Sequence, residues 1–338
     1  MKSFAFIINP VTIRQLKNFW PGLKLVPDFL LAPSLKNLPP FKVLAIKKIR
    51  SIREKEITGY FIICPLISKH TGRLDNGFVV DRTLGAVQVA ESLNVGIIGL
   101  SGYSSVLTDR GYTVGKTLKI PLTGGSSLTA WSMFEAVYRI AKIKNINLKE
   151  CKSAVINAGG SLGSLSSRKL SDYVKRIVIN GQERDKLERL KENIVQLSPV
   201  EVIIEEDMDK AIKDADIVIN ANISQEPVFD MQKLKPNTIF CNISSFSGTN
   251  DKTSLRNDIT VVQGGLVKLP YSDRLRINTD LPKNIIPASL AETILLTFEE
   301  RFVSYSSGEN INLDQLEEIA DIAVQHGFEV WLPEAPVL

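Results

Sequence analysis

The chain has little of what metal centres, disulfide scaffolds and membrane spans are built from. Its 338 residues include three cysteines and two histidines. Cys64, Cys151 and Cys241 lie far apart among apolar neighbours, so they read as reduced core thiols, with no metal-ligand spacing and no disulfide framework. No apolar run approaches the roughly 20 residues that cross a bilayer. The apolar start at residues 1–8 breaks at Asn9-Pro10, too short for a secretory leader, which makes a cytoplasmic protein the expectation. Net charge is only +4, with Lys and Arg scattered. The densest basic run, Lys47-Lys48-Ile49-Arg50, reads as a solvated strand edge, so nucleic acid is not an expected partner. Internal repeats and low-complexity tracts are absent.

What is present is ample apolar material for two domains: 44% hydrophobic and 23% charged residues, ordinary values for a globular protein. The most informative stretch is residues 153–165, Ser-Ala-Val-Ile-Asn-Ala-Gly-Gly-Ser-Leu-Gly-Ser-Leu. Ala154, Val155 and Ile156 form a β-prone run that enters a glycine turn and then a helix. Gly159, Gly160 and Gly163 allow a tight turn, and the helix opening at Ser161 and Leu162 points its N–H groups at an anion. This is how a doubly wound sheet holds a dinucleotide pyrophosphate. Asn157 stands where the usual pattern has its first glycine.

Downstream, strands and helices alternate. Strands are expected at 154–156, 176–180, 201–204, 216–220, 238–242 and 259–262, with helices at 162–173, 183–195 and 207–214 between the first four. This spacing requires a parallel sheet with crossover helices. Upstream, strands are expected at 42–46, 56–64 and 95–100, and helices at 83–94 and 127–143. The proline-rich residues 20–41 read as an apolar surface loop. The fold class is therefore α/β: a C-terminal doubly wound Rossmann-type parallel sheet with an N-terminal α/β substrate domain. Domain bounds are expected at 1–149 (substrate and catalytic), 150–265 (NAD(P)-binding) and 266–338, where helices at 289–304 and 313–326 pack back on the first domain.

Five strings, in order, carry a resemblance. They are Gly99-Leu100-Ser101-Gly102-Tyr103-Ser104-Ser105, Gly125-Ser126-Ser127-Leu128-Thr129-Ala130-Trp131, Gln263-Gly264-Gly265, Ala291-Glu292-Thr293-Ile294-Leu295-Leu296-Thr297-Phe298-Glu299, and Gln325-His326-Gly327-Phe328. Together they resemble the long-chain fatty acyl-(acyl-carrier-protein) reductases and their relatives labelled predicted amino acid dehydrogenases. The resemblance implies an NADP-linked reductase in which a cysteine takes the acyl group as a thioester and hydride releases a fatty aldehyde. Ala288-Ser289-Leu290-Ala291-Glu292 departs from that family's Ala-Cys-Phe-Ala-Glu, placing Ser289 where the nucleophilic cysteine is expected. A serine hydroxyl needs an adjacent base to act as a nucleophile, and neither His70 nor His326 is near in sequence. Ser289-x-x-Glu292 after Pro287 also reads as a capping box, the favoured reading of the two.

Other candidates follow from strand ends. Asn180 and Arg184 close the second Rossmann strand, where Arg184 would meet a 2′-phosphate and Glu183 would repel it; the resembled family's arginine aligns with Gln182. NADP is the expected cofactor, with NAD left open. Ala221 and Asn222 follow the fourth strand, Ser244 the fifth, and Gly264 and Gly265 the sixth. Ser104, Ser105, Ser126 and Ser127 lie in turns that can hold a carbonyl or cap a helix. Lys116 and Asp109, with Lys69 and His70, are the ionisable candidates for general acid, as in the similarly built shikimate dehydrogenases. His326 stands at a Gly-terminated helix end, where the dipole favours a polar or cationic residue.

The expectation is an NAD(P)-dependent oxidoreductase that transfers hydride to a carbonyl, imine or thioester without a cysteine acyl-enzyme. Two alternatives stay open: a non-catalytic NADP-binding sensor or scaffold, and thioester reduction through Ser289 as nucleophile. The expected partner is a small-molecule or acyl-carrier substrate, no metal is expected, and a homo-oligomer stays open.

Overall fold

A mixed sheet and a parallel sheet form, each inside its own compact unit. The computed structural model describes residues 2–10, 12–67, 76–102, 119–222, 230–243, 256–270, 281–306 and 311–332. Contacts cluster into a first unit of Met1–Ser126, Val267–Asn310 and Glu318–Glu329, and a second of Ser127–Leu266, Ile311–Glu317 and Val330–Leu338.

The first unit begins with β1 (Ser3–Ile8), followed by α1 (Ile13–Phe19), α2 (Asp28–Ser34), β2 (Phe41–Arg50) and β3 (Glu56–Ile63). Then come α3 (Asn76–Glu91), β4 (Ile97–Leu100) and β5 (Leu122–Thr123). Sheet order is β2-β3-β1-β4-β5, with β1 parallel to β3 and β4, and β2 antiparallel to β3. The apolar start of the chain is thus the central strand, buried from Ser3 to Ile7. Residues 20–41, expected as a loop, are more ordered than that: a 3-10 turn at Pro21–Leu25, then α2, then a second 3-10 turn at Leu35–Asn37. Prolines stand at their starts, Pro21 in the first turn and Pro27 before α2, where a missing N–H costs nothing. Leu16, Leu31 and Leu35 then pack against Ile63 of β3 and Ile67 just beyond it.

The second unit continues from α4 (Ser126–Ile143) through β6 (Lys152–Ile156), α5 (Ser161–Ser171), β7 (Arg176–Asn180), α6 (Arg184–Leu197) and β8 (Glu201–Ile204). It ends its sheet with α7 (Met208–Ile212), β9 (Ile217–Asn220), β10 (Ile239–Asn242) and β11 (Thr260–Gln263). The order β11-β10-β9-β6-β7-β8, parallel throughout, is the doubly wound arrangement whose order reverses between β6 and β9. One face packs Ala154, Ile156, Val218 and Phe240 against Ala211 and Ile212 of α7.

Short strands β12 (Leu266–Lys268), β13 (Ile285–Pro287) and β14 (Glu329–Val330) pair in the order β13-β12-β14. The sequence reading missed all three. The closing helices are α8 (Ala288–Phe298) and α9 (Leu313–Gln325). All eleven residues of α8 are buried, which matches its continuous apolar run, and it lies against β1, β3 and β4. It stops six residues short of expectation because Glu300 turns into the left-handed region at φ 53°.

At the end of α9, His326 is fully buried, its ring stacked on Phe298 with centroids 5.0 Å apart and planes 7° apart. Its Nε2 meets Glu299 Oε1 at 2.6 Å, and the same carboxylate oxygen takes Lys55 Nζ at 2.8 Å with Arg53 at 3.6 Å. His326 is thus a packed core residue rather than a cation on a helix end. Burial pushes its pKa below the usual value, and the Glu299 hydrogen bond opposes this only in part. A histidine whose pKa falls on folding stabilises the native state above its unfolded value of about 6.5 and loses that contribution as pH drops below it. Thermal unfolding scanned between pH 7.5 and 5 should show the melting temperature falling with acid, and His326→Gln should flatten that slope.

Candidate functional site

Two helix N-termini, one in each unit, carry the candidate residues. In the second unit β6 ends at Ile156 and the chain turns through Asn157 at φ 59°. Asparagine tolerates the left-handed region better than other non-glycine residues, so Asn157 makes the turn that the missing glycine would have made. Gly160 is the N-cap of α5 and no side chain caps the first turn, leaving the N–H groups at Ser161 and Leu162 to an anion or water. Gly163 has a packing role: a Cβ there would lie 2.7 Å from Ala158 Cα and closer still to the Asn157 carbonyl oxygen. At Gly159 a Cβ would make an ordinary contact with Lys186 Cβ at 3.5 Å, and at Gly160 a tight one with the Asn157 side chain at 3.3 Å, so neither glycine is held by backbone packing as Gly163 is. A helix start without a side-chain cap behind this glycine turn fits a dinucleotide pyrophosphate.

The strand ends add a row of carboxamides. Asn180 pairs in register with Ile156, which pairs with Asn220; Asn220 pairs with Asn242 and Asn242 with Gln263. Asn180 Nδ2 donates to the Glu205 and Glu206 carbonyls at 2.7 and 3.1 Å. Asn220 Nδ2 donates to Asn242 Oδ1 at 2.9 Å, and Asn220 Oδ1 accepts the Asn222 N–H at 3.1 Å. Ala221 continues the ladder through its N–H to the Ile156 carbonyl at 3.2 Å, and Gly264 does so to Asn242 at 2.8 Å, with Gly265 next. Sequence reasoning missed Asn242 and Gln263, although each is the last residue of a strand and that position was the available signal.

Arg184 is exposed and engaged by two carboxylates, Glu188 at 2.8 Å and Glu206 at 2.9 Å, which hold its pKa up. A 2′-phosphate arriving at Arg184 has to compete with both. Ser104, Asp109, Lys116 and Ser244 lie outside the described residues, as do Lys69, His70 and Ser105. Ser126 opens α4, and Ser127 is buried in its first turn.

In the first unit α8 starts at Pro287, the N-cap, and no side chain caps it. The expected capping box does not form. Pro287 takes the cap position, which makes Ser289 the second residue of the helix, and the Glu292 side chain accepts instead from the Thr123 hydroxyl. Ser289 is only 8% exposed, and its hydroxyl has no hydrogen-bond partner among the described residues. Gly125 lies directly on it. Its φ of 75° and the overlap that any Cβ would make with the Cβ and Cα of Ser289 both require glycine there. None of the cysteines supplies a reactive thiolate: burial pushes Cys64 and Cys241 up to about 12 and Cys151 up to about 11. Among the described residues no cluster of His, Cys, Asp and Glu could hold a metal ion, and no helix is long and apolar enough to cross a membrane.

Residues 139–241 match the family model described as Shikimate / quinate 5-dehydrogenase. The chain is 25% identical over 302 residues to Aminotransferase PigE of a Serratia species, covering 88% of this chain and 35% of that protein. It is therefore about a third of that relative's length. It is 24% identical over 263 residues to the long-chain acyl-[acyl-carrier-protein] reductase of Synechococcus elongatus, covering 73% of this chain and 75% of that protein. Among solved structures, shikimate 5-dehydrogenase of Listeria monocytogenes in complex with shikimate and NAD aligns over 94% of this chain and 96% of that one, at 13% identity and a TM-score of 0.40. The second unit is a Rossmann domain of the NAD(P)-dependent dehydrogenase type.

Two substitutions separate cofactor contact from packing. Gly160→Val should fold normally and weaken NADPH, by calorimetry, by at least about tenfold, roughly one lost charge-assisted hydrogen bond. Gly163→Ala should instead lower stability by about 1–3 kcal/mol in denaturant melts, the usual cost of overpacking. At the adenosine end, Arg184→Ala should weaken NADPH more than NADH, and Glu206→Gln should strengthen NADPH by releasing the guanidinium.

Proposed function

We propose that this chain is an NAD(P)-dependent reductase of a thioester or other carbonyl, acting without a cysteine acyl-enzyme. The observation that carries this reading is the α8 N-terminus: a buried first turn without a side-chain cap, carrying a serine 8% exposed whose hydroxyl has no partner among the described residues. Donors left unmet inside a protein are costly unless a ligand meets them, and donors fixed in place are what a developing oxyanion needs. Gly159, Gly160 and the α5 N-terminus would hold a nicotinamide cofactor, which would supply the hydride. Once the carbonyl carbon has gained hydride, its oxygen carries the negative charge, which the Ser289 O–H and the first N–H groups of α8 meet. With a thioester, the oxygen electron pair then re-forms the C=O bond, the C–S bond breaks, and the sulfur leaves as a thiolate that takes its proton from water. The product is an aldehyde.

The relatives support a carbonyl product of this kind. One is a reductase of long-chain acyl groups on acyl-carrier protein, and an acyl-carrier thioester is accordingly the proposed substrate class. The other is an aminotransferase, and aminotransferases consume carbonyl compounds, so an aldehyde made by this chain suits transamination as the next reaction. Ser289 acts here as a donor, not as a nucleophile.

Incubation with NADPH and a long-chain acyl thioester tests this. The wild type should oxidise NADPH, and Ser289→Ala should lower kcat by about 10²–10³-fold, the loss typical of one oxyanion donor. Intact-protein mass should show no acyl adduct on the wild type, whereas Ser289→Cys, with a thiol at a helix N-terminus, should acquire one. Undiminished turnover by Ser289→Ala, or an acyl group mapped to wild-type Ser289, contradicts the reading. Cofactor binding with no turnover across carbonyl, imine and thioester substrates would favour a sensor.

A further inference from the structure

Beneath Ser289 lies a buried carboxylate that the proposed chemistry does not yet use. Glu292 is fully buried one turn into α8. The Thr123 hydroxyl, at the end of β5, donates to its Oε1. The same hydroxyl oxygen accepts the Gly125 N–H at 3.3 Å. Gly125 in turn is pressed so closely on Ser289 that no other residue fits between them. The chain of contacts therefore runs from Glu292 to Thr123, from Thr123 to the turn at Gly124 and Gly125, and from that turn to Ser289. Gly124 is tied from the other side by its N–H to the Tyr305 carbonyl at 3.4 Å, and Tyr305 bridges Thr123. Tyr305 also reports the nearby charge: burial and then Glu292 push its phenol up.

A carboxylate is an expensive residue to bury as a mere filler. Taking it out of water costs several kcal/mol unless hydrogen bonds answer it. A leucine would fill the volume more cheaply, so the retained acid points to a job that needs an acceptor. Here the acceptor orients a hydroxyl whose other valence fixes a glycine turn. The turn packs on the Cα and Cβ of Ser289, and a small shift there would misplace the hydroxyl they carry, a donor that has to meet an oxyanion.

We propose that Glu292 is a positioning residue, acting through Thr123 to hold the Gly124-Gly125 turn against Ser289; this rests on the reading of Ser289 as the carbonyl donor. The test does not need the natural substrate. In a Ser289→Cys background, the introduced thiol is alkylated with iodoacetamide across pH 5–10, giving both a limiting rate and a titration midpoint. Thr123→Val and Glu292→Ala, added singly, should loosen the turn and raise the limiting rate by about threefold or more, since access controls labelling of a buried thiolate. Thr123→Ser, which keeps the hydroxyl, should restore the parent rate. Glu292→Gln should keep the rate, because its carbonyl still accepts from Thr123, and should shift the midpoint down, because a nearby negative charge holds a thiol pKa up. Thr123→Ala serves where Thr123→Val does not fold. Parent rates in folded Thr123→Ala and Glu292→Ala would overturn the proposal. That outcome is separate from failure of the Ser289 reading, which shows as undiminished turnover by Ser289→Ala in the otherwise wild-type chain.

Discussion

A helix that starts inside a protein must have its first N–H groups answered, and the proposed chemistry rests on two starts, α5 and α8, that side chains leave unanswered. Thr12 caps α1 and Asp207 caps α7, each accepting the backbone N–H three residues on, whereas α2 and α6 share with α5 and α8 the lack of a side-chain cap. At α5 the cap is a glycine and at α8 it is a proline, and neither has a side chain to offer. Both starts are preceded by strands that end against them, β6 before α5 and β13 before α8, so each N-terminus is fixed by a sheet. On the proposed reading the partial positive charge there meets a pyrophosphate at one and a carbonyl oxygen gaining charge at the other.

Serine and cysteine would use the α8 N-terminus differently. A thiol there ionises more easily, and a thiolate attacks a thioester readily. A serine hydroxyl keeps its proton, so without an adjacent base its useful property is donation. The carboxylate one turn along the helix, Glu292, accepts from Thr123, and the buried histidine in this unit, His326, is committed to Glu299. On the proposed reading the site stabilises a charged oxygen but does not form a bond to the acyl carbon.

The Rossmann half was largely legible in the sequence because its information is local. Short β-branched runs at fixed intervals imply parallel strands, and a glycine turn after the first implies an anion site; the strand at 176–180 falls on the observed residues. What escaped depends on partners far apart in the chain. Glu206 reaches Arg184 across 22 residues, and Glu292 meets Thr123 across 169. The row of Asn180, Asn220, Asn242 and Gln263 exists only once the strands are in register. The capping box at Ser289 fitted the local pattern, but Pro287 displaced it by ending β13 and starting α8 without a break. Residues 3–8 are a further case: an apolar start followed by Asn-Pro carries no sign that it is the middle strand of a sheet.

The central claim is that hydride reaches an uncaptured carbonyl. The most direct measurement is a rapid-quench single turnover with an acyl thioester and NADPH deuterated at the transferring position, reading both product and intact protein by mass. The account predicts an aldehyde carrying one deuterium at its carbonyl carbon, formed while the protein mass stays unchanged at every time point. A protein population heavier by the acyl group, rising before the aldehyde and falling as it forms, would contradict it.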